Sequence, residues 1–198
     1  MIRLTLAACL LAGPAATQGV DPEAKARLLA AYSGIAACHT GAEEERYDLH
    51  PVAVGVPWRD EPWPLTIGLF ACTTGAYNVT QVVLIDDGYE TMPAALPEVL
   101  VEGRFADELE TEIVGMDVIG LSGAVTVTNA EFDAGTLTLR EFVAFRGLGD
   151  ASQMTEWRLG AGSFVLVRQE SDLTYDGESN PWVVAEDGAM VAPRPLDR

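Results

Sequence analysis

Val125-Thr-Val-Thr-Asn-Ala-Glu-Phe-Asp-Ala-Gly-Thr-Leu-Thr-Leu139 decides the fold class of this chain. Two runs rich in β-branched and apolar residues flank Asp133-Ala-Gly135, a three-residue connection with glycine available for a left-handed position. That pattern predicts a hairpin between Val125–Thr128 and Leu137–Leu139. The alternation in Thr136-Leu-Thr-Leu139 implies one buried face and one wet face, as in an antiparallel sheet. Gly160-Ala-Gly162 joins Trp157-Arg-Leu159 to Phe164-Val-Leu-Val167 in the same way.

Outward from these hairpins, short segments of strand character are separated by Gly, Pro and Asp. Strands are expected near Tyr47 to Val56, Leu65 to Cys72, Thr80 to Ile85, Glu112 to Ile119, Ala124 to Phe132, Thr136 to Phe145, Thr155 to Leu159, Phe164 to Gln169 and Trp182 to Ala185. With little helix between them, antiparallel pairing is favoured over a wound parallel sheet. One helix is expected, near 22–36. Asp21 caps it, Pro22 takes the first position, where its missing N–H costs nothing, and Glu23 sits in the positive first turn. Leu28, Leu29, Tyr32, Ile35 and Ala36 form its apolar stripe, while Lys25 and Arg27 are expected to face water. The fold class is therefore mainly β, an antiparallel sandwich or barrel-like sheet, with one N-terminal α-helix.

The first nineteen residues have the layout of a secretory signal: Arg3, an apolar run from Leu4 to Ala12, then small residues to Gly19. The expected organisation is a signal at 1–19 and a single β-rich domain over 20–198, with a loose tail from about 186. Leu6-Ala-Ala-Cys9 has the residue types of a lipoprotein processing site, but only eight residues precede Cys9, too few for a charged start and an apolar core. A periplasmic or secreted location is expected, without membrane insertion after signal removal. Loss of Arg3 takes the formal charge from −18 to −19, which excludes nucleic acid as a partner because phosphate binding needs a basic footprint.

Cys9 leaves with the signal, so Cys38 and Cys72 remain, and in an oxidising compartment an isolated pair is most simply a disulfide. The rivals are a Cys38 nucleophile with His39 as base, which lacks an orienting third group, and a metal site of Cys38, His39, His50 and Cys72, which lacks a closely spaced ligand pair. No metal and no cofactor is expected. Asp86-Asp-Gly-Tyr-Glu90 has calcium-compatible oxygens without the spacing of a calcium loop, and is read as a solvated turn. Trp58 and Trp63, in the loop Pro57 to Pro64, are expected to clamp that loop onto the core. No serine stands in a nucleophile-elbow context and no glycine-rich phosphate loop precedes a helix.

Three further stretches act together: Cys72-Thr-Thr-Gly-Ala-Tyr-Asn78; Phe132-Asp-Ala-Gly-Thr-Leu137 leading through Arg140 into Arg146-Gly-Leu-Gly-Asp150; and Trp157-Arg-Leu-Gly160 followed by Phe164-Val-Leu166. In order and spacing they resemble the C-terminal portion of an exported bacterial family, the domain of unknown function 1176, over roughly Ala37 to Trp182. The family carries two further cysteines at positions that look like Ala151 and Tyr175 here. Loss of both is what loss of one disulfide produces, and it implies a looser C-terminal lobe. The ligand face expected from these motifs comprises Tyr77, Asn78, Arg146, Asp150 and Trp157, with no catalytic residue assigned. Arg146 and Asp150 are read either as an internal ion pair or as a ligand site in which the glycines admit a ligand to the backbone. The expected function is a non-catalytic envelope binding or structural module whose partner is an envelope protein or glycan. The alternative is a carboxylate-dependent hydrolase acting on an envelope glycan, which requires two carboxyl groups facing each other in a cleft.

Overall fold

The structure is a computed structural model that describes residues 19–38, 46–106 and 113–191. Residues 1–18, which hold all but the last residue of the expected signal and include Cys9, lie outside the described residues, as do His39, Glu43 to Glu45, Glu112 and the stretch from 192 onward. In chain order the elements are α1 (Pro22–Ser33), a 3₁₀ turn (Ala36–Cys38), β1 (Tyr47–Val54), β2 (Trp63–Thr74), β3 (Val79–Asp86), β4 (Thr91–Pro93), β5 (Leu96–Phe105) and β6 (Ile113–Ala124). They continue as β7 (Thr126–Thr128), β8 (Glu131–Asp133), β9 (Thr138–Ala144), β10 (Ser152–Gly160), β11 (Ser163–Asp172), β12 (Trp182–Glu186) and β13 (Ala189–Met190). The protein is mainly antiparallel β, with α1 the one α-helix among the described residues.

Three sheets form. The first has the order β1-β2-β3-β4, with β7 also on β3; the second runs β13-β12-β11-β10-β9-β8; the third is the two-stranded ribbon β5-β6. Ile67, Leu69, Val83 and Ile85 of the first sheet share one core with Leu139, Trp157, Leu159, Phe164 and Val184 of the second and Leu96, Val99 and Met116 of the ribbon. The alternate residues Phe70, Val82 and Leu84 point to the opposite face, where Leu28 and Cys38 meet them. The first sheet is thus covered on both sides, which is why Leu65–Phe70 is buried at every position instead of alternating.

Helix α1 starts as its sequence dictates, with the Asp21 carboxylate accepting from Glu23 N–H at 3.2 Å. Tyr32 stacks on Phe70 with centroids 4.8 Å apart and donates its hydroxyl to Ala71 O at 2.6 Å. The Cys38–Cys72 disulfide then ties the end of the helical segment to β2 across 34 residues. Arg27 departs from expectation. It turns from water onto Asp86, with Nε and Nη2 each 2.7 Å from a carboxylate oxygen. Asp86 is therefore no part of a solvated turn; it is buried and also accepts from Thr91 Oγ1 and Gly88 N–H. Burial alone would raise the Asp86 carboxyl, but the bonds from Arg27, Thr91 and Gly88 and the Arg27 charge hold it below its ordinary value.

The hairpin at Asp133 exists with a different partner and a different turn. Asn129, at φ 47°, breaks the expected strand Ala124 to Phe132 in two, so β7 pairs with β3 while β8 pairs with β9. Asparagine tolerates the left-handed region better than most residues, and the chain uses it to change sheets. In the turn, Leu137 takes the positive φ of 57°, not Gly135. Asp133 holds the turn by accepting from Gly135 N–H and Thr136 Oγ1 at 2.8 and 2.9 Å. The second hairpin forms where expected but with a shorter turn: Gly160 pairs with Ser163 inside the strands, and Ala161 and Gly162 at φ 53° and 81° make a two-residue turn of the type whose twist matches the strands. A Cβ on Gly162 would come within 3.0 Å of the Trp63 ring, so Trp63 does clamp its segment, whereas Trp58 is 65% exposed and clamps nothing.

Strands β4 and β5 fall where Pro93 and Pro97 suggest an irregular connection. Pro97 is tolerated because its carbonyl, not a missing N–H, is used, accepting from Trp157 Nε1 at 2.6 Å. At the C-terminal end, β13 pairs with β12 through Met190, so pairing continues past the expected start of the tail at 186.

Candidate functional site

Four of the five expected ligand-face residues come together at one end of the sheets, in the segments joining β2 to β3 and β9 to β10. Asn78 Nδ2 donates to Ala144 O at 2.8 Å and its Oδ1 accepts from Ala144 N–H at 3.3 Å, so the amide imitates a neighbouring strand. Asn129 Nδ2 donates to the same Asn78 oxygen at 2.9 Å and to Phe142 O at 3.0 Å, while Asn129 Oδ1 accepts from Val79 N–H at 2.8 Å. Asn78 is thereby committed to internal bonds. Tyr77 is half exposed and lies along Gly147, where an added Cβ would sit 3.6 Å from its ring.

Arg146 forms a forked ion pair with Asp150, Nε to Oδ1 at 2.6 Å and Nη2 to Oδ2. Its guanidinium also lies 5.2 Å from the Tyr175 ring centroid, and Asp150 Oδ2 accepts from Gly177 N–H at 2.9 Å. These contacts tie the segment 145–151 to the segment 173–180. Asp150 is buried, and the pair reads as an internal clamp.

Trp157 does not belong to this face. It is fully buried in the core, with its indole N–H on Pro97. Its row leads to a group of residues that no spacing in the sequence brings together. On β9, β10 and β11, Glu141, Thr155 and Gln169 are lateral neighbours; β5 packs against β11 and β7 against β9. Gln169 binds Val99 twice, accepting from its N–H at 2.7 Å and donating to its O at 2.8 Å. Glu141 is 6% exposed and accepts from Thr128 N–H at 2.7 Å. Burial raises its carboxyl from the ordinary 4.5 to about 7. The Thr128 bond opposes this, the Glu98 charge adds to it, and Thr155 opposes weakly. Burial also raises Glu98. Thr155 Oγ1 makes no well-formed hydrogen bond.

An open cleft of about 580 Å³ lies at the end of the core nearest Asn129. Leu69, Ala71, Val79 and Ala130 supply its apolar lining, and Arg46, Asp48 and Glu131 are exposed on it. Gln81 Nε2 donates to Ala130 O and its Oε1 accepts from Ala130 N–H, which fixes one wall. Among the described residues Arg46 makes no ion pair or side-chain hydrogen bond. None of the cleft residues was singled out from the sequence. Asn129 was the legible signal, an asparagine inside a Val-Thr strand run. Cys38 and Cys72 are spent in their disulfide and His50 packs edge-on against Phe132 at 5.3 Å, its imidazole pushed down by burial despite the nearby Asp48 charge. No family model, curated protein or solved structure matches the chain.

Proposed function

We propose that the chain is an exported, non-catalytic binding module of the envelope that takes its ligand in the cleft beside Asn129, not on the Arg146 loop. The supporting observation is the contrast between the two places. The Arg146–Asp150 and Asn78–Asn129 groups satisfy one another, while the cleft joins apolar lining to an Arg46 with no partner among the described residues. A concave apolar surface with a few polar groups is the usual form of a small-molecule site. The ligand class that fits is a small organic molecule with an apolar body on Leu69 and Val79 and an anionic group toward Arg46. Export follows from the signal-like start and is supported by the disulfide. Among the described residues no helix is long and apolar enough to cross a membrane. The resemblance to the exported family of domain of unknown function 1176 belongs to the same proposal.

The hydrolase reading draws on Glu98 and Glu141, whose charges interact. Neither residue lines the cleft, and Glu141 is bonded to main chain. A periplasmic extract passed over immobilised wild type, Ala71→Phe and Arg146→Ala separates the readings. Ala71 lines the cleft, so a phenyl ring there should abolish ligand capture without lowering the melt much. Arg146→Ala should lower the melt yet keep capture. Capture unaffected by Ala71→Phe would refute the cleft, and release of reducing ends from envelope glycan that is lost in Glu141→Gln would establish the hydrolase.

A further inference from the structure

Edge strands expose unpaired backbone groups, and soluble proteins blunt them with short length, proline, charge or bulges. Here β4, β7, β8 and β13 have three, three, three and two residues, and the longer β1 carries Pro51. The ribbon has two outer edges. That of β5 is closed by side chains from the second sheet, with Trp157 Nε1 on Pro97 O and Gln169 on both Val99 N–H and Val99 O. The outer edge of β6 has no strand on it among the described residues. β6 is 12 residues long, contains no proline or lysine, and has Asp117 as its one charge.

Two bulges, one residue extra on β6 at Ile119 and one at Val114, divide this edge and leave Gly120–Ala124 as a regular stretch. Leu121 on that stretch pairs with Val99 and so shares its face. Val99 is buried and Leu121 is 62% exposed. The ribbon's inner face therefore runs out one strand short of being covered, and Ile119 and Val125 are exposed on either side of the gap. The chain carries a formal charge of −18, and Glu102 lies opposite Asp117 across the ribbon, two like charges with only Arg104 bonded to Asp117 between them.

We propose that the outer edge of β6 at Gly120–Ala124 accepts an extended, basic strand from a partner protein, adding a third strand to the ribbon and covering Leu121. Main-chain pairing supplies the affinity in this mode and alternate side chains the selection. The excess negative charge makes a lysine-bearing partner the occupant, in preference to a second copy of this acidic chain.

The probe is a synthetic peptide of alternating valine and threonine with lysine at both ends, titrated into the isotope-labelled disulfide-bonded protein. The amide signals of Gly120–Ala124 should shift on addition and become protected from exchange. A glutamate-ended version should bind at least about tenfold more weakly at low salt. N-methylation of the peptide's alternate backbone nitrogens should abolish binding, because it removes the ladder and leaves the charge. Leu121→Ser should weaken binding by about tenfold, the equivalent of exposing one buried leucine side chain. Equal binding of the N-methylated peptide, shifts confined to other strands, or no binding would overturn the proposal. Sedimentation showing a dimer that Leu121→Ser dissociates would also overturn it, assigning the edge to a second copy.

Discussion

Replacing Glu141 by glutamine should make the protein more stable at neutral and alkaline pH and leave it nearly unchanged in acid. In the folded protein the carboxyl is raised from 4.5 to about 7, because it is buried with the Glu98 charge nearby and only Thr128 N–H firmly in compensation. Between those two values the folded state holds a proton that the unfolded state has released, so stability falls as pH rises through the interval. A difference of about 2.5 units at about 1.4 kcal/mol each makes the full cost about 3 kcal/mol above about pH 7, vanishing below about pH 4.5. Glutamine keeps an oxygen for Thr128 N–H and carries no charge, so it escapes that cost. The assay is urea unfolding of wild type and variant at matched pH values across the interval, and the quantity is the difference between the two stabilities, which cancels the general titration of so acidic a chain. Glu98→Gln should recover part of the same gain by removing the neighbouring charge. Stability curves that run parallel across the whole range would show that Glu141 is solvated or otherwise paired, and would refute the buried-carboxylate account.

Three other perturbations read the remaining joints. Reducing Cys38–Cys72, which closes 34 residues, should cost about 3 to 4 kcal/mol and lower the calorimetric melt by about 10 °C; two titratable thiols with an unchanged melt would contradict this. Arg146→Ala strands the buried Asp150 and should cost about 2 kcal/mol in urea unfolding, less than a fully buried pair because 33% of the Arg146 side chain is exposed. Gln169→Leu leaves Val99 N–H and O without partners under the sheet and should cost about 2 to 4 kcal/mol, with Val99 amide exchange accelerated well before global unfolding.

The fold class was legible because it rests on local rules. The Gly160–Gly162 turn and the Asp21-Pro22 cap each specify a short piece of backbone whatever surrounds it, whereas the alternation expected in Thr136–Leu139 fails, since Leu137 lies in the turn and Thr138 is buried beside Leu139. The double cover of the first sheet was not read from the sequence, because Thr66 and Gly68 interrupt the apolar residues of Leu65–Phe70. Strand β5 was hidden because Pro93 and Pro97 carry the breaker signal of a loop, and only the Trp157 indole explains why a proline can stand there. Arg27 was misplaced for a related reason. Helical periodicity puts it off the apolar stripe, which for a long side chain does not settle where the charged end goes, and the Asp86 it meets is 59 residues away.

The motifs carried the candidate site only in part, and the reason is one device used three times. Asn78 binds Ala144 through both main-chain groups, Gln81 binds Ala130 in the same way, and Gln169 binds Val99 likewise. Each amide stands where a strand neighbour would be, so it satisfies a backbone N–H and C=O that would otherwise be buried unpaired. The Asn78 bonds join the first sheet to the end of β9, the Gln81 bonds hold the crossing between β7 and β8, and the Gln169 bonds fasten the ribbon to the second sheet. A side-chain amide has the same donor and acceptor set on a wet surface as beneath a strand, so sequence cannot distinguish the two. Only pairing geometry does, and it turns Asn78, which looked like a ligand contact, into a suture. Among the described residues it also sets apart the β6 edge, which is long, free of proline and without such a cover.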